Sequence, residues 1–271
     1  MTAEATAPSE LEGAVALLFG EHRDAAQAYA ELLTSSAVER GLIGPREVPR
    51  LWERHLLNCA AISPLIPQGS SLVDVGSGAG LPGLVVAIIR PDVTVTLLEP
   101  LQRRVLWLDE AVSALGLPNV RVLRGRAELL RLGGAAEEGA AVPAAGFDVA
   151  TARAVASLGT LASWCLPLVR GHGLFVAIKG QGATDELEAA SADLGRLGAV
   201  EWSVQRCGVG VLAEPTTAVV VVAGERAVMP PSGGARGSGR RDSGRRDAGR
   251  RDSGQRDGSR RDGGRRSGGR L

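Results

Sequence analysis

The sequence contains few aromatic residues and few cysteines, and both shortages narrow the possible classes of protein. Among its 271 residues there are three Phe, one Tyr and four Trp, so Leu, Val, Ile and Ala must form most of the hydrophobic core. The three cysteines, Cys59, Cys165 and Cys207, lie far apart, without a Cys-x-x-Cys pair. This spacing indicates neither a zinc site nor a disulfide framework, and it is typical of a reducing cytoplasm. We therefore expect no bound metal.

Long apolar runs are also absent. The longest, such as residues 84–89 and 218–223, are far shorter than the about 20 apolar residues that span a bilayer as a helix. The N-terminal segment is acidic, with Glu4, Glu10 and Glu12, and it lacks the basic start of a signal peptide. The sequence thus predicts a cytoplasmic protein that does not contact a membrane.

Charge is distributed unevenly, although the net charge is only +1. Arg236 and the residues after it contain 13 Arg and 5 Asp, which leaves a net charge of −7 on residues 1–235. A five-residue unit, Gly-Arg-Arg-Asp-Ser or Gly-Arg-Arg-Asp-Ala, begins at 239, 244 and 249. Residues 229–271 have almost no apolar side chains, so we expect a disordered tail. Its basic charge indicates a nucleic acid or another polyanion as partner, although an unselected repeat expansion would give the same composition.

The first part of the chain is predicted to be helical. From residue 12 to about 43, and again from about 46 to 62, apolar residues recur three and four positions apart. Pro45 and Pro64 mark the two ends of the second stretch. Residues 1–68 are therefore predicted to form a helical region whose apolar faces pack on the domain that follows.

Residues 69–228 show a different pattern, in which short apolar runs alternate with amphipathic stretches. This alternation predicts an α/β domain with a mostly parallel sheet that is covered by helices on both faces. The last two strands have no helix between them, which predicts an antiparallel hairpin at one edge, and a variable loop is expected at about 131–145. The expected strands are 71–75, 93–99, 119–124, 147–150, 173–179, 200–206 and 216–223, and the expected helices are 81–90, 101–115, 157–169 and 185–197.

A glycine-rich segment, Asp74-Val-Gly-Ser-Gly-Ala-Gly-Leu-Pro-Gly83, connects the first predicted strand to the first helix of this domain. Its last six residues match the Gly-x-Gly-x-x-Gly pattern of dinucleotide-binding proteins. Asp74, Gly76 and Gly78 instead match the first motif of S-adenosylmethionine-dependent methyltransferases. A pyrophosphate needs a helix N-terminus free of nearby negative charge, which Asp74 opposes. S-adenosylmethionine has no phosphate and carries a sulfonium and an ammonium, so an acidic neighbour suits it.

Two further segments flank this loop. Glu99 ends the next strand, 25 residues after Asp74, where a carboxylate can accept both ribose hydroxyls of a nucleoside. Dinucleotide folds share that feature, so it predicts nucleoside binding without separating the two cofactors. Gly125-Arg-Ala-Glu128 follows the third strand, beside the expected adenine position, although Glu128 would equally suit a solvent-exposed helix start. The glycine loop by itself would also suit a strand-to-helix turn that binds no ligand.

Together these motifs resemble those of the RsmG family, also called GidB. The resemblance covers roughly residues 15–225 and implies a class I, Rossmann-like methyltransferase fold. It further implies transfer of a methyl group from S-adenosylmethionine to N7 of guanine 527 in 16S rRNA. The matching segments are Trp52-Glu-Arg-His55, 74–83, Leu97-Leu-Glu-Pro-Leu-Gln-Arg-Arg104, Gly125-Arg-Ala-Glu128, Arg153-Ala-Val-Ala-Ser157 and Ala177-Ile-Lys-Gly180.

Site residues follow from the resemblance position by position. The chain departs from the family pattern at Asn58-Cys59, where many members have Asp-Ser, at Gln102 and in the Arg-Arg-Asp tail, so a substrate role for Asn58 and Cys59 does not carry over. Combined with the two carboxylates and the glycine loop, the resemblance predicts one set of cofactor-binding residues: Asp74, Gly76, Gly78, Leu81, Glu99, Ala127, Glu128 and Arg153.

The implied reaction needs no dedicated catalytic base, because N7 of guanine has a lone pair and no proton to remove. Alignment of the reacting atoms is then the main requirement. The chain lacks the Pro-Cys dipeptide and the Asn/Asp-Pro-Pro-Tyr/Phe motif of other nucleic-acid methyltransferases. A buried structural role is the alternative for His55, and a solvated strand end is the alternative for Lys179. The candidate substrate contacts are Arg54, His55, Arg153 and Lys179.

Other function classes remain open at this level. The glycine pattern is compatible with an NAD-dependent oxidoreductase, and the basic tail with a non-catalytic RNA-binding assembly factor. A small-molecule methyltransferase would need an aromatic cap over its active site, and this chain has few aromatic residues. We expect a monomer that binds 16S rRNA or a small-subunit ribosomal particle.

Overall fold

The computed structural model describes residues 5–130, 142–153 and 156–225. The described part of the chain forms a seven-stranded sheet with helices on both faces. The strands are β1 (Ser71–Val75), β2 (Thr94–Glu99), β3 (Val120–Arg124), β4 (Phe147–Arg153), β5 (Val169–Lys179), β6 (Ala199–Cys207) and β7 (Thr216–Ala223). The α-helices are α1 (Glu12–Phe19), α2 (Arg23–Thr34), α3 (Ser36–Glu39), α4 (Asn58–Ala60), α5 (Gly83–Ile89), α6 (Gln102–Leu115), α7 (Leu158–Cys165) and α8 (Ala183–Arg196).

The strand order is β3-β2-β1-β4-β5-β7-β6, and every neighbouring pair is parallel except those that involve β7. The predicted α/β class, the mostly parallel sheet and the antiparallel pairing of the last two strands are therefore confirmed. The sequence did not indicate that β7 is inserted between β5 and β6. As a result, the carboxyl ends of β1 to β6 and the first residues of β7 lie at one edge of the sheet.

The sheet separates two hydrophobic cores, and successive side chains along each strand face one core and then the other. Leu72 and Val149 face a core that contains α5, α6 and the N-terminal helices, whereas Val73 and Ala150 face the core under α7 and α8. The N-terminal helices contribute Phe19, Leu33, Trp52 and Leu56 to the first core, and the rings of Phe19 and Trp52 meet edge to face at 5.9 Å. The N-terminal helical residues thus share one core with the α/β sheet. The boundaries at 68/69 and 228/229 stay a prediction.

The helix predictions need correction in the N-terminal region. The continuous helix predicted for 12–43 is interrupted at Gly20, whose φ of 51° is unsuited to a helix, and again at Ser35. The predicted helix 46–62 is a 3₁₀ segment over Pro45–Arg50, a π-helical turn over Trp52–Leu57, and then α4. Pro49 lies inside the 3₁₀ segment and has no N–H for an α-helical bond, which is one physical reason for the irregularity.

Other boundaries differ by a few residues. The helix predicted for 157–169 ends at Cys165 and is followed by a 3₁₀ turn with Pro167, so β5 begins at Val169 instead of 173. Strand β4 continues to Arg153, three residues beyond its predicted end. Most of the variable loop (131–141) and all but the start of the segment after β7, including the predicted tail, lie outside the described residues. None of the described helices is long and apolar enough to cross a membrane.

Candidate cofactor site and the adjoining cleft

The glycine loop follows β1 and is held against the end of β2. The amides of Gly76 and Ser77 both donate to the carbonyl of Leu98, at 2.8 and 3.2 Å. Gly76, Gly78 and Gly80 have φ values of 74°, 58° and 90°, which residues with a Cβ rarely adopt. The glycines are therefore required for the path of this loop, and the loop brings its backbone to the edge where open α/β sheets bind ligands.

The glycines of the loop differ in what surrounds them. A Cβ at Gly80 would lie 2.4 Å from Leu84, and one at Gly83 would lie 2.4 Å from Leu97, so both positions are closed by packing. At Gly78 the nearest atom to a Cβ would be the Gly76 carbonyl oxygen, at 3.8 Å. Gly78 is thus a position in the loop where the described chain leaves room for a ligand.

Asp74 is fully buried at the end of β1, below the loop. Its Oδ2 accepts a hydrogen bond from the Gly83 amide, the first residue of α5, at 3.0 Å. Its Oδ1 is buried without a hydrogen-bond partner in the described part of the protein. Burial raises the pKa of this carboxyl to about 7. The first amide of α5 is therefore occupied by a protein carboxylate and is unavailable to a phosphate.

Glu99 ends β2 and is almost completely buried. Its Oε2 accepts from the Gly78 amide at 3.0 Å, and its Oε1 accepts from the Leu101 amide at 3.1 Å. Arg104 Nη1 lies 3.7 Å from Oε2. Each carboxylate oxygen can accept a second hydrogen bond, so Glu99 can hold the loop and still accept hydroxyl groups of a ligand.

The turn after β3 lies next to Glu99, since the Gly125 amide donates to the Glu99 carbonyl at 3.2 Å. Ala127 is buried there and begins a short 3₁₀ turn. Glu128 follows it, with its Oε1 3.5 Å from Arg126 Nη1. Leu81, in the glycine loop, is largely buried, with 9% of its surface exposed. The structure thus gathers most of the predicted cofactor residues at the adjacent ends of β1, β2 and β3, and their contact with a cofactor stays a prediction.

Arg153, at the end of β4, is bound to the N-terminal helical region. Its Nη2 donates to His55 Nδ1 at 2.6 Å and to the Arg54 carbonyl at 3.2 Å, and its Nη1 lies 3.5 Å from Cys59 Sγ. On its other side, His55 Nε2 lies 3.0 Å from Glu47 Oε2. A guanidinium can only donate, so Nδ1 must accept and the proton of His55 lies on Nε2. Burial and the charge of Arg153 lower the pKa of His55, which favours this neutral ring.

Lys179, the last residue of β5, is also engaged by the protein. Its Nζ donates to Glu186 Oε2 at 2.7 Å and to the Ala156 carbonyl at 2.9 Å, and its side chain is 5% exposed. Glu186 accepts from the Leu158 amide as well, at 3.1 Å. The solvated strand end considered for Lys179 is therefore wrong. Its predicted contact with the substrate remains untested, and the geometry gives it a role in fixing the start of α7.

One residue near the loop was missed in the sequence. Tyr29 of α2 is fully buried, and its hydroxyl donates to the Ala79 carbonyl in the glycine loop at 2.6 Å. This bond joins residues that are 50 positions apart, so no local pattern reveals it. The available signal was that Tyr29 is the sole tyrosine of the chain and lies in an apolar helical stripe. Burial raises the pKa of its hydroxyl well above its usual value.

A polar cleft of about 580 Å³ opens beside the site. One wall runs from the end of the 3₁₀ segment Pro45–Arg50 to α4. The other wall is formed by the carboxyl ends of β5 and β6, the start of β7 and the loop that precedes β7. Of the predicted substrate contacts, Arg54 and Lys179 line this cleft, whereas His55 and Arg153 do not. The residues around the cleft are Arg50, Glu53, Arg54, Asn58, Ile178, Lys179, Gly180, Gln181, Arg206, Ala213, Glu214, Pro215, Thr216 and Thr217.

The strand order with its inserted β7, the glycine loop after β1 and the carboxylate that ends β2 define a Rossmann-like class I methyltransferase fold. The family model described as rRNA small subunit methyltransferase G (GidB) matches residues 22–213. The chain belongs to this family.

Curated relatives agree with the family model. The chain is 55% identical to the ribosomal RNA small subunit methyltransferase G of Salinispora arenicola, over 84% of this chain and 92% of that protein. It is 53% identical to the protein of the same name from Paenarthrobacter aurescens, over 79% of this chain and 94% of that one. Among solved structures, a predicted O-methyltransferase from Agrobacterium tumefaciens aligns with 64% of this chain and 81% of its own, with a TM-score of 0.46 and 18% identity.

Proposed function

We propose that this protein transfers a methyl group from S-adenosylmethionine to N7 of a guanine in 16S rRNA, with guanine 527 as the target. The observation that carries the choice of cofactor is the hydrogen bond from the Gly83 amide to Asp74. The Asp74 carboxyl group thereby occupies the first amide of α5, where a dinucleotide fold would bind pyrophosphate. The names of the curated relatives support small-subunit rRNA as the substrate. N7 and position 527 rest on the family resemblance.

The residues present suit S-adenosylmethionine. Glu99 can accept the ribose hydroxyls, and the room at Gly78 lets the cofactor approach the backbone. The buried Oδ1 of Asp74 has no partner within the described residues and can accept from an ammonium or a bridging water. Asp74, at the base of the glycine loop, would favour a cofactor with a sulfonium and an ammonium over a pyrophosphate, whereas Glu99 suits the ribose of either cofactor.

Bound S-adenosylmethionine supplies a methyl group on a positively charged sulfur. The bound group would supply this methyl to the N7 lone pair, and no residue of the chain would have to remove a proton from N7. The chain therefore has to hold the guanine in line with that bond, which is catalysis by positioning. The loop at Gly78 and the Glu99 carboxylate would hold the nucleoside, and the cleft next to β4 and β5 would hold the RNA.

The hydrogen bonds of His55 support the absence of a general base. Its Nδ1 accepts from Arg153 and its Nε2 donates to Glu47, so neither ring nitrogen is available to take a proton from substrate. The lowered pKa of His55 keeps the ring neutral near neutral pH. A neutral ring could in principle accept a proton, but both of its nitrogens already form hydrogen bonds within the protein. We assign His55 to positioning: it holds Arg153 against the N-terminal helical region.

Nucleoside mass spectrometry provides the test. The purified protein, S-adenosylmethionine and 16S rRNA from a strain that lacks the enzyme are incubated, with naked rRNA and small subunits compared in parallel. We expect one N7-methylguanosine per rRNA, located at guanine 527. Methylation at another atom or position would contradict the target, and titration calorimetry that gives binding of NAD but not of S-adenosylmethionine would favour the oxidoreductase. Binding of rRNA without turnover would favour a non-catalytic assembly factor.

Several coarser features belong to the same proposal. We propose that the enzyme acts as a monomer and that it methylates its rRNA in the bacterial cytoplasm. Residues 1–68 would act as a helical region that supports the site, 69–228 as the methyltransferase domain and 229–271 as a basic tail that contacts RNA without reading its sequence.

A further inference from the structure

The cleft beside β5 contains an unusual share of the arginines that are free to bind a ligand. Arg50, Arg54 and Arg206 are exposed, and their side chains make no hydrogen bond or ion pair within the described residues. Among all arginines that the structure describes, only Arg46 and Arg103 likewise have a side chain without a hydrogen bond or ion pair. Three of these five arginines thus line one cleft.

The positions of these arginines follow from two separate elements. Arg50 and Arg54 lie one helical turn apart on the wall that leads into α4. Arg206 lies on β6 and is paired with Thr217 of β7, which is paired in turn with Lys179 of β5. Neighbouring strands are about 4.8 Å apart, so the wall from Lys179 of β5 across β7 to Arg206 of β6 extends roughly 10 Å. That length accommodates a few nucleotides of a single strand.

The other groups in the cleft favour a nucleic acid over a simple anion. Lys179 is neutralised by Glu186, so the free positive charge comes from arginines, whose planar guanidinium groups bind phosphate in a bidentate way. Glu53 and Glu214 also line the cleft, and carboxylates accept hydrogen bonds from the amino groups of bases. A mixture of cations and acceptors matches a nucleotide, which presents both a phosphate and donor groups on its base.

The location of the cleft connects it with the reaction. Ile178 lies in the cleft and pairs in the sheet with Arg153, the last residue of β4, and β4 is the neighbour of β1. A strand held in the cleft would therefore run beside the cofactor edge. We propose that Arg50, Arg54 and Arg206 bind the phosphates of the single-stranded rRNA segment that carries the target guanine. This inference rests on the proposed function and adds the path of the RNA, with Arg50 and Arg206 as new contact residues.

The test compares matched single variants of the full-length protein. Arg50→Gln and Arg206→Gln each remove a free arginine from the cleft, while Arg46→Gln and Arg103→Gln remove free arginines outside it. Binding to 16S rRNA is measured by filter binding at several salt concentrations, and S-adenosylmethionine binding by calorimetry. Each cleft variant should bind rRNA about tenfold more weakly at low salt and lose about 0.7 from the slope of log affinity against log salt.

The controls separate the possible failures. The two control variants should keep the affinity and salt slope of the wild type, and all four variants should keep its cofactor affinity. Equal losses in cleft and control variants, or no loss in any variant, would refute RNA binding by the cleft arginines and would leave the proposed methyltransferase activity unaffected. A loss of cofactor affinity in the cleft variants would assign the arginines to the cofactor instead. If the unmodified protein binds neither 16S rRNA nor the small subunit, the proposed function fails.

Discussion

The hydroxyl of Tyr29 should control cofactor affinity, although it lies in the N-terminal helical region. It donates to the carbonyl of Ala79 at 2.6 Å, and both residues are buried. Tyr29→Phe removes the donor and keeps the ring, so the carbonyl loses its partner. Such a loss costs about 1–3 kcal/mol, and if half of it is expressed in the loop, the dissociation constant of S-adenosylmethionine rises about 2- to 13-fold.

A second hydrogen bond between the same two parts of the protein provides the control. Trp107 Nε1 of α6 donates to Ser36 Oγ of α3 at 3.0 Å, and neither residue belongs to the loop. Ser36→Ala should lower the melting temperature as Tyr29→Phe does, by about 2–4 °C per kcal/mol, but should leave cofactor affinity unchanged. Calorimetry and thermal unfolding measure the two effects. If both variants lose the same stability and both bind the cofactor normally, Tyr29 only stabilises the fold.

Four further measurements test the cofactor site, the mechanism and the tail. Glu99→Ala removes the acceptor for the ribose hydroxyls and leaves the Gly78 and Leu101 amides unpaired, so calorimetry should give at least about tenfold weaker cofactor binding; Glu110→Ala on the exposed face of α6 should change nothing, and a normal affinity for Glu99→Ala would show that the ribose binds elsewhere. The single-turnover rate at saturating cofactor should be nearly flat between about pH 6 and 9, because no side chain must lose a proton, and a steep acidic limb removed by a His55 variant would refute this. Cofactor affinity should instead rise with pH and level off above about 7, because a cationic cofactor lowers the raised pKa of Asp74 and its binding releases a proton below that value; Asp74→Asn should remove the dependence, and an unchanged profile in that variant would exclude Asp74 as its source. Truncation after Ser232 removes a charge of +8 and should flatten the salt dependence of rRNA binding by several units without changing cofactor affinity or the target, and equal slopes would mean that the tail does not bind RNA.

The sequence predicted best those features that depend on neighbouring residues. Strands β1 and β7 have the bounds expected from their apolar runs, because β1 buries four consecutive residues and β7 buries five of its eight. The glycine loop was predicted because its positive φ angles demand glycine, whatever the rest of the chain does. The carboxylate that ends β2 was found from its distance in sequence to Asp74, since a βαβ unit of ordinary size separates them.

Features that depend on distant partners were not predictable in this way. Arg153 and His55 are 98 positions apart, and their bond exists only because β4 ends beside the π-helical turn. From the sequence, Lys179 is a free cation at a strand end, but in the fold α8 packs so that Glu186 accepts a hydrogen bond from it. The π-helical turn itself was missed, because apolar residues spaced three and four apart fit an α-helix equally well.

Both halves of the site depend on the N-terminal helical region. On the cofactor side, Tyr29 holds the loop through Ala79. On the side of the cleft, Glu47 orients His55, which together with the Arg54 carbonyl holds Arg153. A reaction that proceeds by positioning alone loses rate when its two ligands shift by a fraction of an ångström relative to each other. Because one set of helices contacts both the loop and the wall that carries Arg54, it can fix that relation in a way that the separate strand ends cannot. We therefore propose that the N-terminal helices hold the two halves of the site in register.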